Sequence, residues 1–112
     1  MLDHDPNPTL LSDVFPQLSQ KLEQLLTDAG EVNLALQVSG LRIVDRCRCD
    51  DGFCASFYTQ PKPKGAYGPS HSNIALTPTK GMLIVDVVDN VITFVEVLYR
   101  NDIREKLLAV LP

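Results

Sequence analysis

Apolar positions follow helical spacing in the first third of the chain and again at its end. Between residues 12 and 30, leucines recur every three or four positions and Gly30 follows them, which predicts an amphipathic helix that ends at this glycine. Residues 101–111 show the same spacing and predict a second helix. From 32 to 38, apolar and polar residues alternate instead, which predicts a strand with one buried face.

A first hairpin is predicted over residues 41–59. Its strands, 41–49 and 53–59, flank Asp51-Gly52, a pair that tolerates the positive backbone angles of a tight turn. Residues 60–72 follow, and their three prolines and two glycines predict a long irregular loop. Long loops in small domains often carry function, so this loop and the hairpin before it are candidates for a site.

A second hairpin is predicted further along the chain, after a short strand over residues 73–76. Segments 82–88 and 91–99 are rich in β-branched residues, and Asp89-Asn90 between them suits a two-residue turn. This is the most strand-prone part of the sequence.

Both faces of the second hairpin are mostly apolar, and such a sheet needs cover on each side. With Val88 paired to Val91, a regular register puts Asp86 and Glu96 on opposite faces, so we expect no carboxylate dyad. A second copy of the chain could cover the exposed face, which predicts a homodimer through the 82–99 hairpin.

The order of helix, strands and helix predicts an α+β fold. Consecutive strands joined by tight turns favour an antiparallel sheet of five or six strands, with an N-terminal and a C-terminal helix packed on it. Residues 1–8 contain two prolines and predict a flexible N-terminal arm, and residues 9–112 are expected to form a single α+β domain.

Composition and charge narrow the class of protein. The 112 residues are 45% hydrophobic with a formal net charge of −4, which excludes a disordered chain. The apolar runs fall short of the roughly 18 residues that a membrane span needs, and the acidic first residues lack the features of a signal peptide. We therefore expect a cytoplasmic protein with no membrane association. The charge is uneven, because residues 41–80 carry six bases and three acids.

Three cysteines, Cys47, Cys49 and Cys54, lie within eight residues. The predicted turn pairs Cys49 with Cys54 across the hairpin and puts Cys47 on the same face, so we expect neighbouring thiols. They could be packed in the core, form a redox or reactive site, or bind zinc with His71 or His4 as a fourth ligand. Packing is the simplest interpretation, because two cysteines one residue apart on a strand do not match the usual spacing of a structural zinc site.

The opposite face of the first hairpin combines basic and aromatic residues, namely Arg42, Arg46 and Arg48 with Phe57. Such a face can bind single-stranded nucleic acid, but the acidic net charge argues against this partner. Arginine stems lying over Phe57 on a solvated face are the simpler interpretation, and an acidic protein partner is the next one.

The loop after the hairpin adds two lysines, a tyrosine and a histidine: Lys62, Lys64, Tyr67 and His71. A proline-stiffened loop with an exposed tyrosine suits a protein contact, because little entropy is lost when it binds. A surface connection without a role explains the same residues equally well.

These observations favour a small non-enzymatic protein-binding module, such as a regulator, inhibitor or immunity-type protein, which requires no cofactor. One alternative is a thiol or zinc site built on Cys47, Cys49, Cys54 and His71, and another is weak single-stranded nucleic-acid binding by the basic hairpin face. The predicted protein-binding residues lie in the 41–72 hairpin and loop: Arg42, Arg46, Arg48, Phe57, Lys62, Lys64, Tyr67 and His71.

Overall fold

The computed structural model describes residues 9–112, so the predicted arm over residues 1–8 lies outside the described residues. Residues 9–112 contain four helices, a five-stranded antiparallel sheet and a two-stranded sheet, an α+β architecture. In chain order the elements are β1 Thr9–Leu10, α1 Leu11–Val14, α2 Pro16–Asp28, α3 Val32–Gln37, a 3-10 helix Val38–Gly40, β2 Arg42–Ile43, β3 Asp45–Arg46, β4 Phe57–Tyr58, β5 His71–Leu76, β6 Met82–Val88, β7 Val91–Leu98 and α4 Asn101–Val110.

The larger sheet has the strand order β3-β4-β7-β6-β5, and every neighbouring pair is antiparallel. The second predicted hairpin is confirmed, with Val88 opposite Val91 across the turn. Asp89 and Asn90 have φ angles of 51° and 64°, the left-handed conformation that a two-residue hairpin turn requires at both positions.

A β-bulge changes the face assignment within this hairpin. Val87 pairs with Ile92, but Asp86 pairs with Phe94, so Thr93 is the extra residue. The Thr93 hydroxyl donates a hydrogen bond to the Asp86 carbonyl over 3.2 Å. Beyond the bulge each β7 side chain points to the face opposite to the one that a regular register predicts.

The bulge corrects the prediction that the two acidic residues of the hairpin lie on opposite faces. Glu96 is opposite Ile84, two positions from Asp86 on β6, so both carboxylates lie on the same face of the sheet. Val95 and Val97 turn to the other face and are fully buried. The bulge thereby concentrates apolar residues on the core side.

Residues 32–38 form α3 and the start of the 3-10 helix, so the strand predicted there is wrong. The buried residues are Leu34, Ala35 and Val38, a helical spacing, whereas Leu36 is 73% exposed. Because residues four positions apart share a face in both a helix and a strand, the alternating pattern of so short a segment fits either element. Packing against α2 and β7 stabilises the helical conformation of this segment.

Gly30 separates α2 from α3. Its φ angle is 83°, and its amide donates to the Thr27 carbonyl while the amide of Glu31 donates to the Leu26 carbonyl. These two bonds form a Schellman motif, which satisfies carbonyls at the end of α2 and reverses the chain into α3.

The core lies between the helices and one face of the five-stranded sheet. Phe57, on β4, is fully buried there and pairs with Val95 of β7. The first two helices contribute fully buried leucines, namely Leu11 of α1 and Leu22 and Leu26 of α2. The last helix, α4, contributes the buried residues Ile103 and Leu107.

The other face of the sheet is covered only in part. Met82 is 45% exposed, and Ile84 and Leu98 are half-buried. The 60–70 loop covers one end of this face, where Pro63 and Phe94 line the same cavity of about 230 Å³. Among residues 9–112, the helices are too short or too polar to cross a lipid bilayer.

Candidate functional site

The first hairpin holds the cysteines near one another. Asp45 pairs with Tyr58 and Arg46 with Phe57, the register that a two-residue Asp51-Gly52 turn would give. The predicted turn itself is wrong, because neither Asp51 nor Gly52 has a positive φ angle and the Cys54 amide donates to the Asp51 carbonyl, which centres the turn on Gly52 and Phe53. The ladder extends to the amide of Cys47, which donates to the Ser56 carbonyl over 2.8 Å, and then ends. The paired strands are therefore much shorter than predicted, but their register is as predicted.

The three cysteines form a thiol cluster, here defined as Cys47, Cys49 and Cys54. Their Sγ atoms all lie within 4.8 Å of one another, and all three thiols are free. Cys49 is exposed, and the other two are half-buried. The prediction that these residues are neighbours is confirmed.

A buried serine positions one member of the thiol cluster. The Cys54 thiol donates to the Ser56 hydroxyl oxygen over 3.3 Å, and the same oxygen accepts the amide of Val97 over 2.9 Å. Ser56 is 1% exposed, so these bonds are made out of contact with water. Sequence reasoning missed this role of Ser56.

The thiol cluster lines a small cavity of about 20 Å³ together with groups from α4 and the hairpin. One side of this cavity is apolar, with Leu107 and Leu108 of α4. Arg46 and Arg104 also line it. The thiolate is the form of a cysteine that binds metals and reacts as a nucleophile. The contribution of α4 could not be read from the local sequence around the cysteines.

Asp51 is the acidic residue that lines the same cavity. It belongs to the turn, where its carbonyl accepts the amide of Cys54 over 3.2 Å. Asp51 is exposed to solvent and, among the described residues, is the one carboxylate residue that lines this cavity.

The structure does not bring His71 to the thiol cluster. His71 lies on β5, the edge strand opposite β3, and four strand spacings separate these edges by roughly 19 Å. Its Nε2 atom lies 2.9 Å from Oδ1 of Asp86 on the adjacent strand. The predicted four-residue site with His71 is therefore corrected to the three cysteines, and His4 lies outside the described residues.

Arg46 and Arg48 bind the end of the chain that follows α4. Nε of Arg46 donates to the Leu111 carbonyl over 2.6 Å, and Nη1 of Arg48 donates to the Pro112 oxygen over 3.1 Å. Arg48 also pairs with Asp45 over 2.9 Å, and this guanidinium lowers the pKa of the Asp45 carboxyl. These arginines join the hairpin to the end of α4.

The predicted basic and aromatic face is thus divided between different environments. Phe57 is fully buried under the helices, and Arg42 is an exposed residue of β2, which belongs to the smaller sheet. Stacking on bases requires exposed rings, which Phe57 does not offer.

The loop residues are also divided. Lys62 and Lys64 are exposed, but the Tyr67 ring packs against His71 with centroids 4.7 Å apart. The Tyr67 hydroxyl is buried without a hydrogen-bond partner among the described residues. Tyr58 lines the cavity under this loop, and burial raises the pKa of its phenol.

An aromatic pair that sequence reasoning missed lies beside the thiol cluster. Phe53 and Tyr99 stack with ring centroids 5.3 Å apart, and they are 44% and 63% exposed. They meet because the chain from Phe53 onward runs along β7, with Cys54 bridged to Leu98. This pairing joins residues far apart in sequence.

Comparison of the chain with protein-family models, with curated proteins and with solved structures found no match. Evidence for the function therefore comes from the chemistry of the site itself. Two features of the described residues suggest a function, namely the thiol cluster and the exposed Phe53–Tyr99 pair.

Proposed function

We propose that the protein binds a metal ion through the thiolates of Cys47, Cys49 and Cys54. The observation that carries this proposal is the separation of their Sγ atoms, at most 4.8 Å for each pair. Thiolates bound to one ion at about 2.3 Å lie roughly 4 Å apart, so closing by less than about 1 Å would complete the site. Side-chain rotation alone can supply a movement of this size.

The charge around the thiol cluster supports the proposal. Metal binding requires that the thiols lose their protons, and two basic residues, Arg46 and Arg104, line the cavity together with them. A reducing compartment such as the cytoplasm would keep the thiols free for a metal, so a cytoplasmic location is part of this proposal.

Zinc titration of the reduced protein tests the proposal. We expect one Zn²⁺ per chain for the wild type and for His71→Ala, a matched control in which a histidine outside the cluster is removed. Each of Cys47→Ser, Cys49→Ser and Cys54→Ser should weaken binding by more than the roughly 10- to 100-fold that loss of an outer-shell partner costs. Wild-type protein that binds neither zinc nor copper, with three thiols that react freely with a thiol reagent, would overturn the proposal.

A second candidate function is that of a non-enzymatic protein-binding module that uses the 41–72 hairpin and loop. The observation that favours it is the Phe53–Tyr99 pair, because exposed aromatic rings held against each other are effective anchors in protein interfaces. The anchor differs from the loop tyrosine that the sequence suggested, since Tyr67 packs on His71.

A Phe53→Ser variant tests this second function against Val110→Ser, a control that removes a similarly exposed apolar side chain from α4. We expect a specific partner to bind the wild type and the control at equal affinity and the Phe53→Ser variant at least tenfold more weakly, about 1.4 kcal/mol or more. Equal binding by all three proteins would remove the aromatic pair as the anchor.

A further inference from the structure

We infer that the ion held by the thiol cluster is copper(I), bound by Cys47, Cys49 and Cys54 in a three-coordinate arrangement. This inference rests on the proposed metal-binding function. Soft thiolate ligands select copper(I), zinc or iron–sulfur clusters among the metals of proteins. Zinc in structural sites takes four ligands, whereas three thiolates are a complete set for copper(I).

The other groups that line the cavity favour three ligands. A guanidinium has no lone pair to offer a metal, so Arg46 and Arg104 supply charge and no ligand. Leu107 and Leu108 close one side with apolar surface. The remaining donor is the Asp51 carboxylate, a hard oxygen ligand that suits zinc and does not suit copper(I).

Charge and proton balance are consistent with the site. When Cu⁺ binds, three Cu–S bonds form, three S–H bonds break, and three protons pass to solvent. The resulting centre carries a charge of −2, and the basic residues that line the cavity beside it are Arg46 and Arg104. Because protons are released, the apparent affinity for copper(I) should rise with pH.

Competition between metals and chelators tests the inference on the full chain. Copper(I) is kept reduced by ascorbate without oxygen and is titrated against a chromogenic copper(I) chelator, and zinc is titrated against a zinc indicator. We expect one Cu⁺ per chain and displacement of bound Zn²⁺ by Cu⁺. X-ray absorption at the copper edge should show three sulfur neighbours.

Two variants separate three-coordinate copper from a four-ligand site. Asp51→Asn and His4→Ala should leave copper(I) affinity within about threefold of the wild type, well below the 10- to 100-fold cost of losing even an outer-shell partner. Each cysteine-to-serine variant should bind copper(I) more than about 100-fold more weakly than the wild type. Its circular dichroism spectrum should show that the variant is folded.

The outcomes distinguish this inference from the proposed function. If zinc binds one to one and copper(I) does not displace it, or if Asp51→Asn or His4→Ala lowers copper(I) affinity by tenfold or more, the copper assignment falls and the metal-binding proposal stands. If neither metal binds, both fall.

Discussion

The thiol of Cys54 depends on a single buried residue for its position. Ser56 receives the Cys54 thiol and the Val97 amide on one oxygen, and its own hydroxyl lies 3.4 Å from the Val97 carbonyl. Ser56 thereby ties the thiol cluster to the centre of the sheet. Its role depends on the pairing of β4 with β7, across 41 positions of sequence, so local patterns in the chain could not predict it.

The ion pair of Asp45 with Arg48 gives a prediction about pH. The Arg48 guanidinium lowers the pKa of the Asp45 carboxyl, so the pair stabilises the fold above the unfolded pKa of about 3.9. That contribution is lost as the pH falls through the lower folded pKa. Because both side chains are largely exposed, at 54% and 44%, we expect Asp45→Asn to cost only about 0.2–1 kcal/mol at pH 7.

Urea unfolding of the wild type and Asp45→Asn at pH 7 and pH 2 measures this contribution. The difference in free energy of unfolding should be present at pH 7 and should be smaller at pH 2, because the contribution is lost as the pH falls below the unfolded pKa towards the lowered folded pKa. Asp89→Asn, in the exposed turn between β6 and β7, is the control for loss of a charge without an observed ion pair. A difference for Asp45→Asn that persists unchanged at pH 2 would contradict the prediction.

At the scale of elements, α3 is joined to the β6–β7 turn by one side chain. The Gln37 amide nitrogen donates to the Asn90 carbonyl over 2.6 Å, and its oxygen accepts the amide of Ile92 over 3.0 Å. Ile92 is fully buried, so its amide has little access to water. Gln37 therefore satisfies a backbone donor that the turn leaves free.

We expect Gln37→Ala to lower the free energy of unfolding by about 1–2 kcal/mol, because it leaves the Ile92 amide without a partner. Gln20→Ala, on the exposed side of α2, should change it by less than about 0.5 kcal/mol. Urea denaturation of both variants measures the difference. Equal effects of the two substitutions would show that the link between α3 and the turn contributes nothing.

A turn could be predicted from the sequence where its own residues determine its conformation. Helices and strands could not be predicted where contacts with residues distant in the sequence determine them. Asp89-Asn90 specifies its hairpin turn by itself, whereas the turn predicted at Asp51-Gly52 is replaced by one centred on Gly52 and Phe53. The bulge at Thr93 depends on β4, because the Thr93 carbonyl accepts the amides of Thr59 and Gln60. The α3 segment likewise becomes helical through packing against other elements, which its short alternating pattern does not reveal.

At the scale of the whole molecule, the candidate site combines a predictable part with one that required the fold. The cysteines are neighbours, as their spacing in the sequence predicted, but the predicted pairing of Cys49 with Cys54 does not form, because Cys54 is bridged to Leu98 of β7. Arg104 reaches the same cavity only because α4 packs beside the hairpin. His71 was assigned to the site because the sequence does not give the strand order, which places β5 at the far edge.

The outer face of the 82–99 hairpin leads to a prediction about the whole molecule. Met82 is 45% exposed, while Ile84 and Leu98 are half-buried beside it. The helices pack on the opposite face, and the 60–70 loop covers only one end of this one. A two-fold axis would let this face bury itself against the same face of a second copy.

We therefore predict a homodimer through this hairpin at high micromolar concentration, measured by sedimentation equilibrium. Met82→Glu should shift the protein towards the monomer, because a charge placed in the interface must be desolvated without a partner. Val110→Glu adds the same charge to α4, on an exposed position outside the hairpin, and should leave the dimer intact. A wild-type protein that sediments strictly as a monomer would overturn the prediction, and equal weakening by both variants would place the interface elsewhere.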